Sequence, residues 1–399
     1  MSILEKNSKA EMTLSALRAA SPQQQAEAGY ADTLREILQQ PSTWRATAAL
    51  LRDPATRETL ARALTPRPAH IVFTGSGSSM YIGECAAPAV RQGTGIATQA
   101  IAAGTLLTHA SSVLPPGPGL LVSLARSGDS PESCGVVDRL LADAPDWRHL
   151  VITCNAKGKL ATRYNHDPRV AVVVLDDRTN DRSLVMTSSF TNLLVACTGL
   201  LIGTSQEVSL AAIDALAASV ERIFEQQADT LAAMAQRDVE AAVYLGSGGG
   251  IGEAHEVALK MVEMTGGKVI TMAETYLGLR HGPMSSIRPT TLIVGVLSSD
   301  ADVRGYELDL LRELARKQLG MGRLVIGERI PADALVAGDA AIELGDIHGG
   351  DVPVLLAGVV TGQLLALFRC LQLGDRPDAP SEGVLTRVVQ TFTLHGADA

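Results

Sequence analysis

The side chains best suited to acid–base chemistry lie in one stretch of the chain, residues 243–284. Lys260 and Glu263 stand three positions apart in an apolar-periodic segment, which predicts a helix over 252–264 with both side chains along one side. His281 follows, directly before a Gly-Pro breaker pair. A carboxylate, an ammonium and an imidazole can move a proton and stabilise developing negative charge. With Glu256, four positions before Lys260, the pair is also commonly a solvated salt-bridge ladder, and His281 a structural loop histidine, so spacing alone leaves both interpretations open.

A second group of side chains is suited to binding an anion. The glycine-rich turn at 75–77 follows a predicted strand, and the hydroxyl-rich run at 123–133 follows another. The Ser127 and Ser130 hydroxyls, with free backbone N–H groups, can hold a phosphate dianion. Ser130 also precedes a proline at the expected first helical position, so a plain N-cap role remains an alternative. The turn does not match GxGxxG, and the chain contains no GxxxxGK[ST], so the dinucleotide and nucleoside-triphosphate fingerprints are missing.

A duplicated unit positions these turns. IVFTGSGSSM at 71–80 and AVYLGSGGGI at 242–251 match at an offset of 171 residues, and the same offset brings 121–122 onto 292–293. Apolar runs alternate with helical patterns in both copies, which indicates parallel sheets covered on both faces. Ligands of such sheets bind beyond the carboxyl ends of the strands, where both glycine turns fall. The second copy has Asp300 where an anion would be repelled, so we expect only the first copy to bind phosphate.

The predicted fold class is α/β, with two tandem doubly wound parallel-sheet domains of the flavodoxin-like kind behind an N-terminal helical extension. We expect about five strands in each domain. The predicted boundaries are a helical segment over 1–48, a first domain over 49–212, a second domain over 213–374 and a tail over 375–399. The apolar periodicity further predicts helices over 12–19, 27–40 and 43–51, and one long helix over 213–235.

Composition excludes several classes of protein. A net charge of −9 and 3% aromatic residues argue against a nucleic-acid surface. The five cysteines show no CxxC pair or metal-ligand spacing, so we expect small reduced core residues and no metal site. The apolar runs at 191–203 and 352–368 are shorter than the roughly 20 residues that a spanning helix needs, so they predict buried helices. The N-terminus lacks the apolar run of a signal peptide, which predicts a soluble cytoplasmic protein without a membrane partner.

Taken together, these motifs resemble the SIS (sugar isomerase) superfamily from about residue 50 onward. The layout is similar to the isomerase domain of glucosamine-6-phosphate synthase, with two SIS domains. The strings LARSGDSPES, RSLVMTSSFTNLL and AETYLGLRHGPM look specifically like the AgaS branch. Proteins of that branch are tagatose-6-phosphate ketose/aldose isomerases or galactosamine-6-phosphate deaminases.

The resemblance implies a role for each of the acid–base residues. Glu263 matches the carboxylate that moves a proton between C2 and C1 of the sugar, and Lys260 the lysine beside it. His281 matches a histidine that assists ring opening and reaches in from the neighbouring subunit, which implies a homodimer with a shared active site. The phosphate loop departs from the family pattern at Ala125, where a hydroxyl is lost, and at Arg126, which is expected to compensate. The implied substrate contacts are Ser76, Gly77, Ser78, Arg126, Ser127, Gly128, Ser130, Thr187, Ser188 and, in place of a near-terminal lysine, Arg387.

The expected function is the conversion of galactosamine 6-phosphate to tagatose 6-phosphate and ammonia, with no metal or organic cofactor. A ketose/aldose 6-phosphate isomerase would use the same residues, and a glucosamine-6-phosphate deaminase differs only in sugar configuration. A sugar-phosphate sensor without catalysis is an alternative from another class, and the presence of Glu263 and His281 favours the enzyme.

Overall fold

The structure, a computed structural model, describes residues 12–381, 384–388 and 392–395. Within them the chain packs as two compact units. The first unit consists of Gln39–Asp181, Ser188–Ala217 and the described residues from Thr386 on. The second unit consists of 12–38, Arg182–Thr187 and the described residues from Ala218 to Leu385. The chain thus leaves each unit and returns to it, whereas the sequence predicts consecutive domains; those boundaries stay predictions.

Three short helices open the described chain: α1 (Leu14–Ala19), α2 (Pro22–Ala28) and α3 (Ala31–Leu38). The single helix predicted over 27–40 is wrong, because Gly29 adopts a left-handed conformation with φ 72° and ends α2. These helices belong to the second unit. The Asp378 carboxylate accepts hydrogen bonds from the backbone N–H groups of Asp32 and Thr33, a partnership too distant in sequence for a local pattern to indicate.

The first unit contains one sheet and its covering helices. Its strands are β1 (His70–Thr74), β2 (Ala97–Ala100), β3 (Gly119–Ala125), β4 (Arg148–Thr153) and β5 (Val170–Val174). Its helices are α4 (Gln40–Leu50), α5 (Pro54–Ala63), α6 (Ser78–Thr94), α7 (Ala103–Val113), α8 (Pro131–Asp143), α9 (Lys159–Thr162) and α10 (Ser188–Cys197). The long helix predicted over 213–235 is instead α11 (Leu210–Arg222), a π turn at Ile223–Gln227 and α12 (Ala228–Gln236).

The second unit repeats this arrangement. Its strands are β6 (Ala241–Gly246), β7 (Ile270–Thr275), β8 (Thr291–Val296), β9 (Gly322–Gly327) and β10 (Ala340–Glu343). Its later helices are α13 (Gly250–Thr265), α14 (Ala301–Arg316) and α15 (Asp351–Gln372). Two 3-10 turns, Gly278–His281 and Pro283–Ser286, link β7 to β8.

The two sheets have the same topology, which confirms the predicted fold class. The strand orders are β2-β1-β3-β4-β5 and β7-β6-β8-β9-β10, and all of these pairs are parallel. In the first sheet, β2 is added on one side of β1 and β3 on the other side, and in the second sheet β7 and β8 flank β6 in the same way. The direction in which strands are added therefore reverses between β1 and β3 and between β6 and β8. Ligands of doubly wound sheets bind at such switch points. The unpredicted edge strands are β2, which reads Ala-Thr-Gln-Ala, and β7, whose residues are exposed or half-buried, so neither shows a continuous buried run.

The apolar helix α15 forms the centre of the second unit. It is long and apolar enough to cross a membrane, but 94% of its apolar window is buried inside the protein. It packs against α12 and α13, so its apolarity is accounted for by core packing. The shorter run predicted as a buried helix is α10 followed by a 3-10 turn, and every residue of α10 is buried. All five cysteines are buried and free, as the sequence predicts.

Equivalent glycines shape the strand-to-helix turn in both units. Gly77 and Gly248, 171 residues apart, have φ of 56° and 55°, a conformation that side chains other than glycine rarely adopt. A Cβ on Gly246 would lie 2.0 Å from the carbonyl oxygen of Gly250, in the first turn of α13. The close approach of strand and helix therefore requires glycine at 246.

We predict that Gly246→Ala destabilises the second unit by more than about 2 kcal/mol, because the clash is with backbone that has no rotamer by which to escape. Chemical denaturation monitored by circular dichroism measures the loss. Gly305→Ala is the matched control, since its Cβ meets nothing within 4 Å inside α14 and alanine is the better helix former. Equal stability of the two variants would contradict this account of the turn.

Candidate active site

A buried ion trio forms on α13. The Lys260 Nζ lies 2.5 Å from the Glu263 Oε2 and 3.4 Å from the Glu256 Oε1. Helical spacing of three and four residues brings the three groups onto one side of the helix. Lys260 and Glu256 have no exposed side-chain surface, whereas 23% of the Glu263 side chain is exposed. The trio is therefore not a solvated ladder, and Glu263 is its one solvent-facing member.

A further carboxyl on α13, that of Glu253, has a raised pKa. Glu253 is buried, and burial raises its pKa well above the ordinary value, with a second contribution from the negative charge of Glu256. Ionised Glu253 would place a third carboxylate charge in the same interior. The helix thus carries a carboxyl with a raised pKa near its start and the charged trio toward its end.

The end of α13 sets the position of Glu263. Gly266 terminates the helix in a left-handed conformation with φ 58°, and its N–H donates back to the Glu263 carbonyl oxygen. Glu263 lies thirteen residues after Gly250, so about 20 Å of helix separates it from the glycine turn of its own unit. Glu263 therefore cannot act at the switch point of the second unit.

His281 projects from the surface of the second unit. It ends a 3-10 turn, and Gly282, at φ 126°, turns the chain sharply after it. The neighbouring Arg280 is tied down by an ion pair, with its Nε 2.7 Å from the Glu313 Oε2. His281 is exposed, and its imidazole makes no hydrogen bond with any residue in the described part of the chain. The ring is therefore accessible to a ligand.

The candidate anion-binding residues of the first unit meet at one sheet edge. β1 and β3 are neighbours, with Thr74 paired to Ser123, so the turn after β1 and the loop after β3 lie side by side. Ser76 and Gly77 are exposed at that edge, while Ser78 is buried as the first residue of α6. This edge is the switch point at which the topology places a ligand.

The loop after β3 keeps its serine hydroxyls near the helix start. Ser130 stands at the N-cap of α8 ahead of Pro131, but its side chain makes no cap hydrogen bond; its hydroxyl donates to the Glu132 carboxylate at 2.5 Å. The Ser130 hydroxyl therefore does not act as the N-cap of α8, which was the alternative role. Gly128 has φ 69°, and the backbone N–H of Asp129 donates to the Ser127 Oγ at 3.3 Å.

Two cations accompany this loop. Arg126 follows β3 directly and is buried. Arg387 is held by a hydrogen bond from its Nη2 to the Asn180 Oδ1, at 2.6 Å. Both guanidinium charges act on the Cys154 thiol just after β4, although burial dominates and raises its pKa to about 12. The tail arginine thus lies near the carboxyl ends of the first unit's strands, where a substrate anion would benefit from it.

The predicted sugar-facing pair divides between the units. Thr187 belongs to the second unit, and its carbonyl oxygen accepts a hydrogen bond from the Gln363 Nε2. Ser188 starts α10 in the first unit; its hydroxyl donates to Asp181 and accepts from the Gln39 Nε2 at 2.9 Å. Both residues are fully buried. Their contact with substrate stays a prediction.

Two residues of the site were not proposed as such from the sequence. Glu256 was recognised only as a member of a charged ladder, since spacing does not reveal that it is buried. Asn155, after β4, donates from its Nδ2 to the Ser127 carbonyl oxygen at 2.8 Å and so holds the anion loop. Its position just beyond a strand end was the available signal. Among the described residues, no group of three or more His, Cys, Asp or Glu side chains is arranged to hold a metal ion.

Comparisons with known proteins place the chain in a family. No family model matches it. A Streptomyces coelicolor protein that carries the AgaS name is 37% identical over 376 residues, 91% of this chain and 95% of that protein. The D-galactosamine-6-phosphate deaminase AgaS of Escherichia coli is 33% identical over 370 residues, again 91% of this chain and 95% of the relative.

A solved structure agrees with the sequence relatives. The crystal structure of tagatose-6-phosphate ketose/aldose isomerase from Escherichia coli superimposes with a TM-score of 0.83 at 31% identity, covering 92% of this chain and 97% of that one. The chain belongs to the AgaS branch of the sugar isomerase (SIS) superfamily.

Proposed function

We propose that this protein is a D-galactosamine-6-phosphate deaminase, which converts its substrate to tagatose 6-phosphate and ammonia. The observation that carries the proposal is the contact between the buried Lys260 ammonium and the partly exposed Glu263 carboxylate. A carboxylate held in this way is fixed in orientation and still open to a substrate carbon. The Escherichia coli relative of that name, 33% identical, supports the choice of substrate.

The proposed reaction needs three tasks from the chain's own residues. His281 protonates the ring oxygen as the sugar opens to the 2-amino aldehyde. Glu263 removes the C2 proton, and Lys260 stabilises the enolamine charge that develops. Glu263 then returns the proton to C1, which leaves an imine at C2. Water adds to that carbon and ammonia departs, giving the ketose 6-phosphate.

The phosphate is assigned to the first unit. The glycine turn after β1 and the Ser127 loop supply N–H and hydroxyl donors, and Arg126 and Arg387 supply positive charge. The substrate contacts remain those predicted from the sequence, including Thr187 and Ser188.

We propose a homodimer as the active unit. The His281 imidazole, exposed and without a hydrogen bond to any described residue, supports a role in a site completed by a second subunit. We further propose a cytoplasmic location, in keeping with the five free, buried cysteines.

A ketose/aldose isomerase acting on tagatose 6-phosphate is the second candidate. The Escherichia coli structure of that name, at TM-score 0.83, favours it. The same proton transfer between C2 and C1 would then interconvert the ketose and the aldose, with oxygen in place of nitrogen at C2. Parallel assays of galactosamine 6-phosphate, glucosamine 6-phosphate and tagatose 6-phosphate decide between the candidates, because only a deaminase releases ammonia.

We predict that Glu263→Gln lowers kcat for ammonia release by roughly 10²–10⁴-fold, the usual contribution of a general base. KM should stay within about threefold, because the amide oxygen can still accept from Lys260. A coupled ammonia assay measures both constants. Glu225→Gln, an exposed carboxylate in the π turn of the same unit, is the control and should match the wild type. An active Glu263→Gln enzyme would contradict the proposal.

We predict that Ser127→Ala combined with Ser130→Ala raises KM for the sugar phosphate by at least about tenfold, because hydrogen bonds to a charged group are lost. The kcat should change much less, since neither hydroxyl meets a reacting carbon. Initial-rate kinetics give the two effects separately. Ser112→Ala, on the exposed end of α7, serves as the control. An unchanged KM would contradict binding of the substrate phosphate at this loop.

We predict that inactive Glu263→Gln and His281→Asn chains complement each other when co-expressed. If each site takes its carboxylate from one subunit and its imidazole from the partner, one site in each mixed dimer is intact. Random pairing then restores about a quarter of wild-type activity. If both groups come from one subunit, the mixed preparation stays as inactive as either parent.

A further inference from the structure

The second unit contains a loop that corresponds to the anion-binding loop of the first. The offset of 171 residues that relates the glycine turns also takes Ser127 to Ser298 and Asp129 to Asp300. Ser298 follows β8 as Ser127 follows β3, and each loop leads into a helix at the switch point of its sheet. The second unit therefore has the same strand, loop and helix arrangement that the first unit offers to an oxyanion.

In the second unit this loop is already bound to a carboxylate. Asp351, the first residue of α15, accepts hydrogen bonds from the Ser299 N–H at 2.8 Å and from the Ser299 hydroxyl at 2.7 Å. The Ser298 hydroxyl lies 2.9 Å and 3.1 Å from its two oxygens. One backbone amide and two hydroxyls thus converge on a single anionic group, which is how proteins hold phosphate oxygens.

A small pocket adjoins this carboxylate. It is lined by Ser247 and Gly250 of the glycine turn, by the end of β8, and by Glu307, Asp351 and Leu355. Glu307 is 1% exposed and its Oε1 has no hydrogen-bond partner among the described residues. Its other oxygen accepts from the Ser298 N–H at 2.8 Å. Glu307 and Ser247 line this pocket together, and the Ser247 hydroxyl acts on the Glu307 carboxyl.

The protonation of Glu307 is compatible with an anion. Burial, and then the charge of Asp351, raise its pKa to about 7 against hydrogen bonds that favour the ionised form. A protonated carboxyl can donate a hydrogen bond to an oxyanion. Another acidic side chain of this loop, Asp300, is exposed and caps α14 by accepting from the N–H groups of Asp302 and Val303.

We propose that the switch point of the second unit is an oxyanion-binding site closed from within by the Asp351 carboxylate, and that removing this side chain opens it to inorganic phosphate or sulfate. The sequence predicts anion binding in the first unit alone because Asp300 repels; the geometry assigns that exclusion chiefly to Asp351. This inference concerns residues that the proposed reaction does not use, so it stands or fails separately from the deaminase assignment.

The test is chemical rescue of Asp351→Ala in the full chain. We expect inorganic phosphate to raise the melting temperature of this variant by about 3 °C more than that of the wild type, against sodium chloride of equal ionic strength. Asp346→Ala is the matched control: it removes the same charge from an exposed position shortly before α15, without a contact to the loop. Asp346→Ala should respond to phosphate as the wild type does. Should Asp351→Ala fail to fold, Asp351→Ser takes its place, since serine is well accepted at helix starts.

The second measurement locates the anion. Crystals of Asp351→Ala soaked in selenate should show an anomalous peak beside the Ser299 backbone nitrogen that wild-type crystals lack. Adding Ser298→Ala to Asp351→Ala should remove most of the extra rise in melting temperature that phosphate causes. The proposal is overturned if Asp351→Ala and Asp346→Ala respond equally to phosphate, or if no peak forms at this loop.

Discussion

The constraint on which this structure depends is the burial of the Lys260 ammonium. Moving an ammonium out of water costs several kcal/mol unless opposite charges accompany it. Glu256 and Glu263, one turn to either side on α13, provide those charges at 3.4 Å and 2.5 Å. Because Glu256 is fully buried and Glu263 is not, only Glu263 can meet a substrate while it remains tied to the lysine. The raised pKa of Glu253 disfavours a further negative charge in the same interior.

The helix that carries this trio is determined at both ends by glycine. Gly246 lets β6 approach the first turn of α13 more closely than any side chain permits, and Gly266 ends the helix two residues after the buried Met264. The helix length then separates Glu263 from the glycine turn of its own sheet. The two units share one topology but differ at the switch point: Ser76 and Gly77 are exposed in the first, while in the second Asp351 and Glu307 occupy the donors of the loop.

Much of the fold could be predicted from the sequence because duplication leaves a signal that local patterns alone do not. The 171-residue offset correctly predicted two equivalent parallel sheets, and buried strands such as β3 and β8 showed as continuous apolar runs. The edge strands β2 and β7 did not show as continuous apolar runs, because most of their residues are exposed or half-buried. The return of residues 12–38 to the second unit depends on Asp378, more than 300 positions away. The spacing of residues close together in the sequence cannot indicate such a contact.

Part of the candidate site could likewise be predicted from the sequence. The spacing of Lys260 and Glu263 indicated a shared helix face, and the structure places them in contact. Spacing could not reveal that Glu256 is buried, or that the Ser130 hydroxyl turns to Glu132 rather than to the helix N–H groups. Both outcomes depend on packing around the helix. The sequence predicted the asymmetry between the two copies from a single aspartate, Asp300. The residue that occupies the second loop is instead Asp351, which comes from a helix and lies 52 residues after Ser299.

The most direct test of the central claim is the fate of hydrogen at C1 during turnover in D₂O. If one carboxylate carries the proton from C2 to C1 with exchange to solvent, tagatose 6-phosphate formed by the wild type will contain deuterium at C1 on a single face, by NMR. Glu263→Gln should abolish both the label and the product. Stereospecific deuterium at C1 formed at the wild-type rate by Glu263→Gln would contradict the account.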